Sequence, residues 1–145
     1  MDRKDNRRIN DFSPRGFLLV LDSWGCEFGL LNSPEFLLTH AIAAAKMTGM
    51  QVLADLIIPF SPQGFTIVQV LSESHLTIHT APECSYAGID IFTCGKGNPE
   101  IACEYLIGVL KPEHVISKRF ARGMIQSNID EDSENEKEVE IYAER

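Results

Sequence analysis

The chain has 145 residues, 44% of them hydrophobic, enough for one compact domain with its own core and short for two. Of its formal charge of −8, −6 falls in the last sixteen residues, so the remainder is nearly neutral and lacks the basic patch that a nucleic-acid partner requires. Its four cysteines form no CxxC pair, no basic-then-apolar leader precedes them, and no apolar run approaches the ~18 residues that span a bilayer; a cytoplasmic chain with reduced thiols and no membrane partner is expected.

Residues 1–15 are charged, contain Pro14 and show no period, which predicts a mobile arm. The domain is expected over 16–126. It opens with a buried strand, continuously apolar from Phe17 to Leu21 and closed by Asp22, Ser23 and Gly25. Ser33 suits an N-cap, Pro34 the first helical position and Glu35 the positive end of the dipole. Phe36, Leu37, His40, Ala41 and Ala44 then recur at helical spacing until Gly49. Strands are predicted over 51–60, 65–72, 75–80 and 86–93. A second helix begins at Asn98-Pro99-Glu100, presents Ile101, Tyr105 and Val109 with their neighbours, and stops at Pro112; a last strand covers 114–120. Residues 127–145 form an acidic tail, expected to be solvated, although Val139, Ile141 and Tyr142 leave a short docked element open. The order β-α-β-β-β-β-α-β with short connections predicts an antiparallel sheet with both main helices on one face, a two-layer α+β sandwich.

Reactive side chains concentrate in residues 71–95, LSESHLTIHTAPECSYAGIDIFTCG. If Leu76 faces Ile91 and Ile78 faces Ile89, those four form the buried side of a hairpin. Alternation then sends His75, Thr77, His79, Asp90, Phe92 and Cys94 to the side away from the helices. Such a face calls for a cover, either a second subunit or a ligand. Glu83, in the connecting loop, would project from the hairpin's end and reach across an interface. Plainer readings exist for each residue. A strand cysteine is commonly a small buried hydrophobe, and this applies to Cys26, Cys84, Cys94 and Cys103. His75 and His79 share a face, yet no third ligand at a familiar spacing joins them, so no metal is expected. His40 and His114 read as structural, Trp24 and Phe60 as core or interface residues.

SESHLTIHTAPE followed by YAGIDIFTCG, with PQGFT at 62–66, WGC at 24–26 and RGM at 122–124, closely resembles the short prokaryotic form of the S-adenosylmethionine decarboxylase family. The likeness covers residues 16–124. Members of that family are proenzymes, and the resemblance implies cleavage between Glu73 and Ser74 into chains 1–73 and 74–145. The Ser74 hydroxyl would attack the Glu73 carbonyl, and the resulting ester would undergo β-elimination. Ser74 would end as a pyruvoyl group, the cofactor, with release of ammonia; that group would form a Schiff base with the substrate. By the same resemblance His79 transfers the processing proton, Thr66 assists it, and Cys94 protonates the decarboxylated product. Phe60 would stack on the adenine of S-adenosylmethionine and Glu83 would bind its ribose hydroxyls. The implied product is the aminopropyl donor of spermidine biosynthesis, and the implied assembly is a homodimer of processed protomers with the reactive sheet face at the interface. Ala81 stands where the family commonly carries a bulky aromatic. Arginine or ornithine therefore remain open as substrates, as does a non-catalytic regulatory subunit of the same fold.

Overall fold

The computed structural model describes residues 15–123 and the backbone of residues 136–142. In chain order the elements are β1 (Gly16–Trp24), α1 (Phe28–Leu31), α2 (Pro34–Met47), β2 (Gln51–Pro59), β3 (Phe65–Ser72), β4 (Ser74–Ala81), a 3-10 turn (Pro82–Cys84), β5 (Tyr86–Cys94), α3 (Pro99–Leu110), β6 (His114–Arg122) and β7 (Glu136–Tyr142). Among the described residues the strands form one seven-stranded sheet in the order β2-β3-β4-β5-β1-β6-β7, antiparallel at every pairing. No helix among them is long and apolar enough to cross a membrane.

Both long helices begin as their sequences dictate. The Ser33 hydroxyl accepts from the Phe36 N–H, and the Asn98 side chain accepts from the Glu100 N–H, each satisfying a donor that the first turn leaves unpaired. A proline follows each cap at the first helical position. Leu37, Ala41, Ala44 and Ala45 of α2 are buried. In α3 the buried row is Ala102, Cys103, Leu106 and Leu110 rather than the expected Ile101, Tyr105 and Val109; Ile101 is exposed. The two rows share a four-residue spacing and differ by one position, about 100° around the axis. Because both rows are apolar, the period alone does not choose between them. The smaller Ala102 and Cys103 lie on the core side, while the Tyr105 hydroxyl hydrogen-bonds His40 Nδ1 on α2 at 2.6 Å, a structural role for His40.

The core lies between the helices and one face of the sheet. The register places Leu76 opposite Ile91 and Ile78 opposite Ile89, and all four are at most 1% exposed. At about 1.5–3 kcal/mol for burying each such side chain, this quartet is a main anchor of the hairpin. Leu76→Ala is expected to cost about 2–5 kcal/mol in urea unfolding, because little around a central strand can collapse into the void. A cost below about 1 kcal/mol would contradict that packing.

Two elements depart from the expected order. The four-residue α1 has no side-chain cap and holds a glycine; it is fixed by complete burial of Leu31. The open possibility for the tail is realised as β7, which pairs with β6 from His114↔Tyr142 to Phe120↔Glu136.

Candidate active site

The sheet face away from the helices carries Thr66, His75, His79, Phe92 and Cys94, whereas Ser74 aligns with the core side through its buried cross-strand partners Leu71 and Thr93. Along β4 the candidate site residues fall toward two ends. At one end are Glu73, Ser74 and Cys94. Ser74 opens β4, opposite Leu71 of β3 and Thr93 of β5, so Cys94 follows its cross-strand partner by one residue. The Ser74 Oγ is buried and makes no hydrogen bond among the described residues. Its backbone has φ +120°, a region that a residue with a Cβ occupies only at a cost of about 1–3 kcal/mol. A buried, unpaired hydroxyl on a strained backbone is a costly arrangement for folding alone.

Cys94 is half-buried, and its thiol is pushed above the usual range, first by burial and then by the Glu73 carboxylate, while Arg122 pulls it down. Such a thiol holds its proton at neutral pH, as a donor must. The other cysteines differ. Cys26 and Cys103 are buried and pushed up to about 11 by burial, which suits packing, whereas Cys84 is exposed.

At the other end are Phe60, Thr66, His79 and Glu83. Thr66 and His79 are direct cross-strand partners, and Thr66 Oγ1 hydrogen-bonds His79 Nδ1 at 2.9 Å. That bond engages Nδ1 and leaves Nε2 for proton transfer. Phe60 meets the His79 ring edge-on, with centroids 5.7 Å apart, and is 46% exposed, so its face is open to a planar ligand. The 60–64 loop holds it there: the Phe60 N–H donates to the Gly64 carbonyl, and Gly64, at φ +81°, lies so close to the Thr80 carbonyl that a Cβ would stand 2.7 Å from it. Glu83 is exposed in the 3-10 turn and accepts from Gln63 Nε2 at 3.3 Å.

His79 therefore pairs with Thr66 and not with Ser74. Five residues separate His79 from Ser74 on β4, roughly 17 Å at the rise of an extended strand. Strand alternation assigns His79 and Cys94 to one face, and they do share it, toward opposite ends. Gln63 and Arg122 received no role from the sequence, although both lie in the motif fragments PQGFT and RGM. Between and beside the two groups, His75 packs on Phe92 with centroids 5.8 Å apart, and Trp24 stacks with His114 at 5.3 Å. The Tyr86 hydroxyl donates to Asp22 Oδ1 at 2.6 Å. No group of three or more His, Cys, Asp or Glu side chains among the described residues is placed to hold a metal ion.

A model of the S-adenosylmethionine decarboxylase family matches residues 18–123. The chain belongs to that family. It is similar to an S-adenosylmethionine decarboxylase proenzyme of Brevibacillus brevis, 46% identical over 115 residues that span 79% of this chain and 86% of that one. It is likewise similar to S-adenosylmethionine decarboxylase proenzyme 2 of Bacillus cereus, with 43% identity over 79% of this chain and 94% of that one. Among solved structures, the adenosylmethionine decarboxylase of Aquifex aeolicus superposes with a TM-score of 0.72 at 27% identity, covering 81% of this chain and 98% of its own. The family's proenzyme relatives give the buried, strained Ser74 a chemical context.

Proposed function

We propose that this chain is a self-processing, pyruvoyl-dependent S-adenosylmethionine decarboxylase that supplies the aminopropyl donor for spermidine biosynthesis. The observation that carries the reading is Ser74, with its buried unpaired hydroxyl and left-handed backbone, one residue out of register with a protonated thiol. The proenzyme relatives and the family match support it.

In processing, the Ser74 Oγ attacks the Glu73 carbonyl carbon and the C–N bond of that peptide breaks, leaving an ester. Elimination across the Ser74 Cα–Cβ bond releases Glu73 as a carboxylate and leaves a dehydroalanine. This tautomerises to an imine, and attack of water on the imine carbon expels ammonia and supplies the ketone oxygen, so that chain 74–145 is capped by a pyruvoyl group. A hydroxyl is a weak nucleophile toward an amide and needs a base within reach. His79, oriented by Thr66, is the base proposed. The pyruvoyl group supplies an electron sink for the pair released as carbon dioxide departs. The chain's own residues do the rest. Phe60 stacks the adenine, Glu83 accepts from the ribose hydroxyls, and Cys94 delivers the proton to the carbon that lost its carboxylate.

The separation of the two groups supports a homodimer. A single protomer holds the bond to be cut and the proton donor near one end of β4, and the base and binding residues at the other. A second copy, turned by a two-fold and laid on the same open face, would bring each group against its complement. The apolar side chains exposed on that face, Leu56, Ile58 and Val70, between 45% and 55% accessible, favour such a cover.

Substrate choice is tested by carbon dioxide release from S-adenosylmethionine, arginine and ornithine in parallel. The pocket wall has changed at Ala81, whose cross-strand partner is Tyr86. Release from S-adenosylmethionine alone is expected; release from either amino acid in its place would contradict the substrate assignment. Cys94→Ala is expected to process its chain and lose at least ~100-fold in turnover, the scale of a removed general acid. Full turnover in that variant would remove Cys94 from the reaction.

A further inference from the structure

Arg122 ends β6, two strands away from Cys94. Between them runs β1, whose residue at that level is Gly16, paired with Cys94 on one side and Arg122 on the other. A Cβ on Gly16 would collide with the Thr93 carbonyl, so the position is restricted to glycine and the surface above it stays open. The Arg122 side chain uses that opening. Its guanidinium carbon stands 5.2 Å from the centroid of Phe92 on β5, which means that it has crossed β1. Phe92 lies two residues before Cys94 on the same face, so the ring seats the cation beside the thiol.

Negative charge accumulates at this place. The Glu73 side chain already acts on the thiol, and cleavage after Glu73 would add an α-carboxylate. Each proton that Cys94 gives away then leaves a thiolate in the same neighbourhood. Without a nearby cation, forming that thiolate would be strongly opposed. We propose that Arg122, laid across Gly16 onto Phe92, is a positioning residue that enables Cys94 to release its proton. The inference rests on the donor role of Cys94 and gives the catalytic centre its cation.

Besides Arg122, the charge that acts on the thiol is that of Glu73, from the turn between β3 and β4. His75 of β4 packs on the same Phe92 ring, the Arg15 carbonyl accepts from the Gly95 N–H, and Lys96 follows two residues after Cys94 in the chain. The test uses the full-length processed protein. Cys94 alkylation by iodoacetamide is followed by peptide mass spectrometry from neutral to alkaline pH, alongside decarboxylation, in wild type, Arg122→Gln, Arg122→Lys and Phe92→Leu. Arg122→Gln is expected to move the alkylation midpoint upward by about half a pH unit, roughly a threefold loss of thiolate on the rising limb. Phe92→Leu should move it less in the same direction, and Arg122→Lys should restore it. A purely structural role would alter the yield of folded protein and leave the midpoint alone. If Arg122→Gln folds poorly, Phe92→Leu carries the test. An unmoved midpoint in a folded variant overturns the proposal, whether or not the enzyme turns over. A shifted midpoint in a protein inactive on S-adenosylmethionine supports the coupling while contradicting the decarboxylase reading.

Discussion

Ser74→Ala is expected to leave the chain whole and to abolish turnover. The substitution removes only the nucleophile and retains the strained backbone, the hairpin register and the thiol, so the variant should fold. In the proposed mechanism cleavage needs a hydroxyl on residue 74 in position to reach the preceding carbonyl, and the pyruvoyl group would have no other source. Full-length protein should persist through prolonged incubation, with decarboxylation at the background of the unprocessed chain. Ser74→Thr, which restores a hydroxyl but adds a methyl group to a buried position, should cut slowly. A Ser74→Ala chain that still divides after Glu73 would mean that the hydroxyl is not the nucleophile.

The second large effect concerns the division of the site between protomers. Ser74→Ala and His79→Ala should each be inactive alone, one lacking the bond-breaking hydroxyl and the other the base. Refolded or co-expressed together, they should recover activity. If His79 serves the Ser74 of the partner subunit, a mixed dimer contains one site with both residues intact and one with neither. Random pairing makes half the dimers mixed, so about a quarter of wild-type activity should return. The same mixture should show cleavage confined to the His79→Ala chain, whose Ser74 meets an intact base. Were the whole site built within one chain, the mixture would remain inactive.

Much of this arrangement was legible in the residues. Ser33-Pro34-Glu35 and Asn98-Pro99-Glu100 mark helix starts through the unpaired N–H groups that they satisfy. The hairpin register follows from alternation, because shifting Leu76 against Ile91 by one residue would turn isoleucines to the open face. The helix face of α3 was harder, since two adjacent apolar rows satisfy the same spacing and only packing on the sheet selects Ala102 and Leu106. The short α1 depends on burial of Leu31 rather than on any local signal. The docking of β7 depends on the free edge of β6, which the tail's acidic composition does not reveal. For the site, period-two alternation assigns a face correctly, but it is blind to distance along the strand. Ser74 and His79 look adjacent in sequence because an extended chain spends about 3.3 Å on every residue; that same geometry puts them in separate halves of the site.

The central claim is that the chain creates its own reactive carbonyl at residue 74 and uses it on S-adenosylmethionine. Purified wild-type protein incubated with S-adenosylmethionine and a hydride reductant, then analysed by intact-mass spectrometry, tests both parts at once. The expected result is two chains, 1–73 and 74–145. The second should lack the mass of ammonia relative to a serine-started chain and should carry the reductively trapped substrate amine. A single unmodified chain of 145 residues, or a cleaved chain that traps no S-adenosylmethionine, would contradict the account.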